Sequence, residues 1–202
     1  MRTKLTGWLA PGGEVTIPDP PLAHTLFATT RFAWLWAILR IYLGYEWLQA
    51  GLHKLGDPGW MQGGEALKGF WERAIAIPAQ GRPPIAYDWY RDFIAFMLNN
   101  GWYTWFAKLV AYGEFLIGLA LVLGAFVGIA AFFGAFLNWN FIMAGAASTN
   151  AVLFTLAVLL MLAWKVAGWY GLDRYLLPLI GTPWTWRGQK PAGPPAPRPV
   201  QP

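Results

Sequence analysis

The sequence predicts an all-α protein, an integral membrane four-helix bundle with two short amphipathic helices in the loop between its first and second spans. Three observations carry that reading. Hydrophobic residues make up 56% of the 202-residue chain and charged residues 12%, with a mean hydropathy of +0.37, a balance outside the soluble range. Apolar segments reach or exceed the roughly 20 residues that a crossing of the hydrocarbon core requires. Fourteen Trp, eight Tyr and thirteen Phe suit several membrane interfaces, where amphipathic rings concentrate.

Residues 1–31 are expected to form a cytoplasmic N-terminal segment. Pro11 to Pro21 is a Pro- and Gly-rich loop, not the basic, apolar and small-residue succession of a cleaved signal, so the first span is expected to do the targeting. The transmembrane domain is placed at 32–178, with spans at about 32–55, 103–124, 127–146 and 152–170. Phe32 to Leu55 is long enough to cross, although Arg40 and Glu46 interrupt it. Leu109 to Ala147 is far longer than one crossing uses, and Gly124 and Gly128 bracket the break at which it folds back as a hairpin. Val152 to Tyr170 is the last span, reached through the small polar turn Ala147-Ser148-Thr149-Asn150.

The loop 56–102 is broken by Pro58, Pro78, Pro83 and Pro84. Within it, Glu65 to Ile75 and Tyr87 to Leu98 place apolar residues at helical spacing beside Lys68, Glu72, Arg73, Asp88, Arg91 and Asp92. Both are expected to be helices lying on or capping the bundle. Residues 179–202 form a Pro-rich tail. Arg2, Lys4 and Arg31 precede the first span, and Arg174, Arg187, Lys190 and Arg198 follow the last. That distribution predicts a multi-pass protein of the cell membrane with both termini cytoplasmic.

Several function classes drop out. Without cysteine the chain has no disulfide, thiolate zinc site, iron–sulfur ligation, covalent c-type haem or persulfide-forming nucleophile. The net charge of +5 is scattered over tails and loops and does not form a nucleic-acid-binding face. His24 and His53 fall on opposite sides of the membrane, so no haem or other metal site is predicted. The glycines follow neither phosphate-binding pattern.

The chemistry is then sought among the polar groups at membrane depth: Arg40, Glu46, Lys108, Glu114, Asn138, Asn140 and Lys165. An ionisable group there costs about 2.5–3.5 kcal/mol on insertion scales and needs a partner. Ala107, Ala111, Glu114, Gly118 and Ala125 fall near one helix face, and Gly128, Ala131, Ala135 and Asn138 form a similar stripe on the next. Small residues let backbones approach, so Glu114 and Asn138 are expected to point inward. Glu46, Ala50 and His53 share a face, and Arg40 is expected to pair with Glu114 or Glu46. Two readings stand side by side: a buried ion-pair network that locks the helices together, and a polar pocket for a quinone head group or a small anion. In the second, His53, Glu46 and Glu114 are the catalytic candidates, and Arg40, Lys108, Asn138 and Asn140 bind quinone or substrate. His53 with Lys54 also reads as an interfacial pair that snorkels outward.

Asn138-Trp139-Asn140-Phe141, Ala144-Gly145, Ser148-Thr149-Asn150, Ala163-Trp164-Lys165-Val166-Ala167-Gly168 and Gly171-Leu172-Asp173-Arg174 resemble the DoxX/DoxD family, which includes the large membrane subunit of thiosulfate:quinone oxidoreductase. Arg40-Ile41-Tyr42-Leu43-Gly44, Gly51-Leu52-His53-Lys54-Leu55 and Gly113-Glu114 are similar to its pattern as well. The resemblance covers most of the chain and is weakest over 56–102. It implies a four-helix membrane protein and, for some members, electron transfer from thiosulfate to a quinone together with a smaller partner subunit. A non-catalytic accessory subunit of a larger membrane redox complex is the alternative.

Overall fold

The structure, a computed structural model, describes residues 18–181. Arg2, Lys4, Arg187, Lys190, Arg198 and most of the expected Pro-rich tail lie outside the described residues. Every element among the described residues is helical. In chain order these are α1 (Pro21–Phe27), α2 (Ala33–Gly56), α3 (Pro58–Met61), α4 (Glu65–Ile75), α5 (Asp88–Asn99), α6 (Tyr103–Leu123), α7 (Val127–Met143), α8 (Asn150–Leu162), α9 (Trp164–Ala167) and α10 (Asp173–Leu179). A single 3-10 turn, Thr30–Phe32, leads into α2.

Two antiparallel pairs make the bundle. α2 lies along α6 and α7 along α8, and both contacts are extensive. Glycine sets the first of them. A Cβ on Gly44 would lie 2.8 Å from the backbone nitrogen of Val122, and Cβ atoms on Gly51 and Gly118 would collide with the backbones of Phe115 and Leu48. The three glycines therefore form the flat seam along which two backbones meet. The main core gathers Trp36, Leu43, Trp47, Ile117, Leu121 and Leu160 with alanines from α7, α8 and α9.

A second core closes one end of the bundle. Leu67 and Trp71 of α4, Tyr90 and Ile94 of α5, and Ile85 between them pack on Ala107 and Ala144. The expected amphipathic helices exist, at Glu65–Ile75 and, shifted by one residue at each end, at Asp88–Asn99, and they cap helix ends. The last expected span does differ. Residues 152–170 are not one helix: α8 stops at Leu162, α9 is a separate short turn, and the chain then doubles back toward Gly124. The reason is steric, because Gly171 sits against the backbone of Leu123 and Gly124 and Gly168 against Asp173.

Among the described residues one helix, Tyr103–Leu123, is long and apolar enough to cross a membrane by itself. Pro21–Phe27 and Thr30–Gly56 pass the same test together but are bent by 55°. α7 and α8 are apolar and shorter. Their 17 and 13 residues correspond to lengths of about 26 and 20 Å at the α-helical rise.

Candidate functional site: buried polar groups in the bundle

Among the described residues four polar or charged side chains are buried: Arg40, Glu114, Asn138 and Asp173. They do not form one pocket. Arg40 and Asp173 belong to the end where α6 turns into α7, whereas Glu114 and Asn138 lie further along the bundle.

At the turn, Gly124 and Phe126 both take left-handed backbone conformations, with φ of +68° and +48°. Helix α6 ends here with unpaired carbonyls and α7 begins with unpaired N–H groups. Arg40 fills the first need. Its Nη1 donates to the carbonyl oxygens of Leu121 and, at 3.0 Å, Val122, while Nη2 donates to that of Tyr170 at 3.2 Å. Asp173 fills the second, accepting from the backbone N–H groups of Phe126 at 2.5 Å and Val127 at 2.9 Å. A cation thus sits at the negative end of one helix dipole and an anion at the positive end of the next. Burial pushes the Asp173 carboxyl above the usual carboxylate range, and the Val127 and Phe126 N–H groups, with the Arg40 charge, offset only part of that rise. The expected pairing of Arg40 with Glu114 or Glu46 is therefore corrected: its partners are backbone carbonyls, two at the end of α6 and one in the turn after α9, with Asp173 as the nearby countercharge.

Glu114 pairs instead with Lys54, whose Nζ lies 2.5 Å from Oε2. The pair is asymmetric, since the Glu114 side chain is 1% exposed and that of Lys54 17%. The Lys54 ammonium also rests over the Trp60 ring, 5.0 Å from its centroid. Lys54 thus turns inward, whereas His53 stays on the outer surface. One residue is 100° of helix, so the two cannot share a direction.

Asn138 has both amide atoms buried and without a hydrogen-bond partner in the protein. The indole Nε1 of Trp47 is in the same condition. A Cβ on Gly134, one turn before Asn138, would lie 3.1 Å from that nitrogen and 3.5 Å from Ile117. Because α6 and α7 join through a tight turn and run in opposite directions, stepping one turn along each, from Ile117 to Glu114 and from Gly134 to Asn138, puts acid and amide at the same depth.

The other expected site residues lie apart. Glu46 is half-buried on the outer side of α2, where Tyr42, Tyr45, Gln49 and His53 are exposed; these five make a polar stripe facing away from α6. Lys108 is exposed on α6. Asn140 is occupied structurally: its Oδ1 and backbone carbonyl accept from the Tyr90 hydroxyl at 3.0 and 3.2 Å, and its Nδ2 donates to Phe136. Sequence reasoning missed Asp173 as a charge partner, Lys54 as an inward cation and Trp47 as a polar group. The expected inward orientation of Glu114 and Asn138 is present.

Burial raises the Tyr90 hydroxyl to about 12. Because an unfolded tyrosine ionises near pH 10, the folded protein holds a proton that the unfolded chain releases in that window. Stability should therefore fall as pH rises from about 10 to about 12. Tyr90→Phe should flatten this alkaline limb of a Tm–pH curve and cost about 0.5–1.5 kcal/mol at neutral pH. An unchanged limb would show that Tyr90 ionises freely.

Comparison with protein-family models, with curated proteins and with solved structures yields no match, so the reading of this site stands on its residues and geometry.

Proposed function

We propose that the chain is a multi-pass membrane protein of the DoxX/DoxD kind, acting as a quinone-interacting subunit of an oxidoreductase. In this reading α2, α6, α7 and α8 cross the cell membrane, both termini are cytoplasmic, and α4 and α5 cap the opposite end. Lipid is the solvent suggested by the exposed apolar surface of Ile38, Leu109, Leu116, Ile129, Phe132 and Phe136, since a folded soluble chain rarely leaves such faces uncovered.

The observation that carries the functional part is the Lys54–Glu114 pair. An ionised pair buried inside an apolar bundle is costly to maintain and marks a functional site by default. The arrangement shifts the centre of the proposed pocket from Arg40 to Glu114 and Lys54, with Asn138 at the same depth. Glu114 can hold or release a proton at the quinone oxygen, and Lys54, partly exposed, links it to the capped end of the bundle. A bound quinone would supply the two-electron chemistry. Thiosulfate is the donor that the resemblance suggests, with a smaller partner subunit.

Quinone content tests the proposal. The protein should stay in the membrane fraction until detergent is added, and lipid extracts of the pure protein should contain near-stoichiometric quinone that Glu114→Gln largely loses. A quinone-free wild-type protein would end the reading.

The outward stripe on α2 favours a second reading, an accessory subunit of a larger redox complex. Glu46 and Gln49 at membrane depth need protein neighbours more than acyl chains. Stable recovery only within a large assembly, without quinone, would support it.

A further inference from the structure

Buried polar groups in folded proteins are almost all hydrogen-bonded, and an exception calls for an explanation. Two exceptions here are close together. Asn138 is 0% exposed and Trp47 3%, and the amide nitrogen, amide oxygen and indole nitrogen lack protein partners. Trp47 Nε1 packs against Gly134, which shares a face of α7 with Asn138 one turn, about 5.4 Å, away. The surrounding residues, Leu43, Ile117, Ala131 and Ala135, are apolar.

The inventory of unmet groups describes what would satisfy them. Trp47 offers a donor only, and Asn138 offers two donors and an acceptor. A single oxygen atom within reach of both side chains would accept from both. A carboxylate would add another anion at the depth of Glu114, whose only ion-pair partner among the described residues is Lys54. A neutral carbonyl adds no charge and suits the apolar walls, and its reduced form, a hydroxyl, could in turn donate to Asn138 Oδ1. We infer that Trp47 Nε1 and the Asn138 carboxamide hold one carbonyl oxygen of a lipid-soluble quinone in the core between α2 and α7. This rests on the proposed function and gives its pocket a second wall: Glu114 and Lys54 provide charge, and Trp47 and Asn138 provide neutral positioning bonds.

An orphaned amide retained for a ligand lowers the stability of the empty protein, so affinity and stability should move in opposite directions on mutation. Asn138→Leu and Trp47→Phe keep the approximate shape and remove the polar atoms. The experiment measures Tm of the detergent-purified, quinone-stripped protein and its affinity for a short-chain benzoquinone by titration calorimetry. Asn138→Leu should raise Tm of the stripped protein by about 2–4 °C and weaken quinone binding about tenfold, the loss of one hydrogen bond's worth of affinity. Trp47→Phe should weaken binding to a similar degree and carries the test alone if the Leu variant does not fold.

Unchanged affinity with a raised Tm would overturn the inference, because the amide would then hold only an internal water. A lowered Tm in both variants with unchanged affinity would overturn it as well, as the marks of an amide and indole that serve packing. Wild-type protein that binds no benzoquinone would remove the proposed function itself. Loss of binding in Glu114→Gln with full binding in Asn138→Leu and Trp47→Phe would retain that function and reject only this site.

Discussion

Replacing Lys54 with Met is expected to destabilise the protein by about 3–5 kcal/mol, the usual cost of leaving one member of a buried pair without its partner. The magnitude follows from Glu114, whose side chain is 1% exposed. Glu114→Leu should cost less. The Lys54 ammonium that it strands is already 17% exposed and lies over Trp60, so the long stem can swing the charge outward. The double variant Lys54→Met with Glu114→Leu should recover most of the loss, because an apolar pair of similar volume removes both desolvation costs. Thermal unfolding in detergent reads all three, at about 2–4 °C per kcal/mol for a chain of this size. Equal small losses in the two single variants, or no recovery in the double, would show that the pair is solvated and has no stake in the core. The same variants connect stability to function: the double variant should fold and yet bind quinone poorly, since the charge it removes is the group proposed to handle protons.

How far the sequence foretold this arrangement depends on the kind of information involved. The limits of α2, α4 and α6 were legible because hydrophobic length and periodicity report directly on helices. Glu114 and Asn138 were legible as inward residues because each sits in a stripe of small residues, and close backbone approach leaves no other direction for them. The partner of Arg40 was not legible. Backbone carbonyls at a helix end carry no side-chain signature, whereas the acids Glu46 and Glu114 are visible in the sequence as countercharges. Asp173 was hidden for the related reason that its partners are the N–H groups of Phe126 and Val127. The nearest signal was the run of Gly168 and Gly171 before it, both of which permit the close approach that brings Asp173 to the turn. Lys54 is not separable from His53 in the sequence, because adjacent residues at a helix end look alike there while pointing in different directions. The end of α8 at Leu162 escaped a hydropathy reading, since Val166 and Ala167 continue the apolar composition after the helix has stopped.

Arg40→Met is expected to cost as much as Lys54→Met, about 3–5 kcal/mol, but through the α6–α7 turn and not through the proposed pocket. The substitution removes the guanidinium from the carbonyls of Leu121, Val122 and Tyr170, of which Leu121 keeps the Gly124 N–H, and leaves the buried Asp173 without its nearby cation. Arg40→Lys should recover only part of the loss, because a point charge on a flexible stem cannot reproduce the fork that reaches three carbonyls. Asp173→Ala removes a cap of the α7 N-terminus and should cost about 1–2 kcal/mol as a cap, with a further loss from the stranded Arg40 charge. Asp173→Asn keeps one acceptor and should fall between Ala and wild type. Because these groups share one turn, combining Arg40→Met with Asp173→Asn should cost less than the sum of the two. Hydrogen exchange localises the effect: the Phe126 and Val127 amides, bound to Asp173 in the native protein, should exchange faster in both Asp173 variants while the α2–α6 seam stays protected. Quinone content separates structure from ligand binding. Arg40→Lys protein that folds should keep its quinone, since Arg40 donates only to the backbone. Normal stability and exchange with lost quinone in that variant would instead place Arg40 against the ligand and return the site to the end of the bundle where the α6–α7 turn lies.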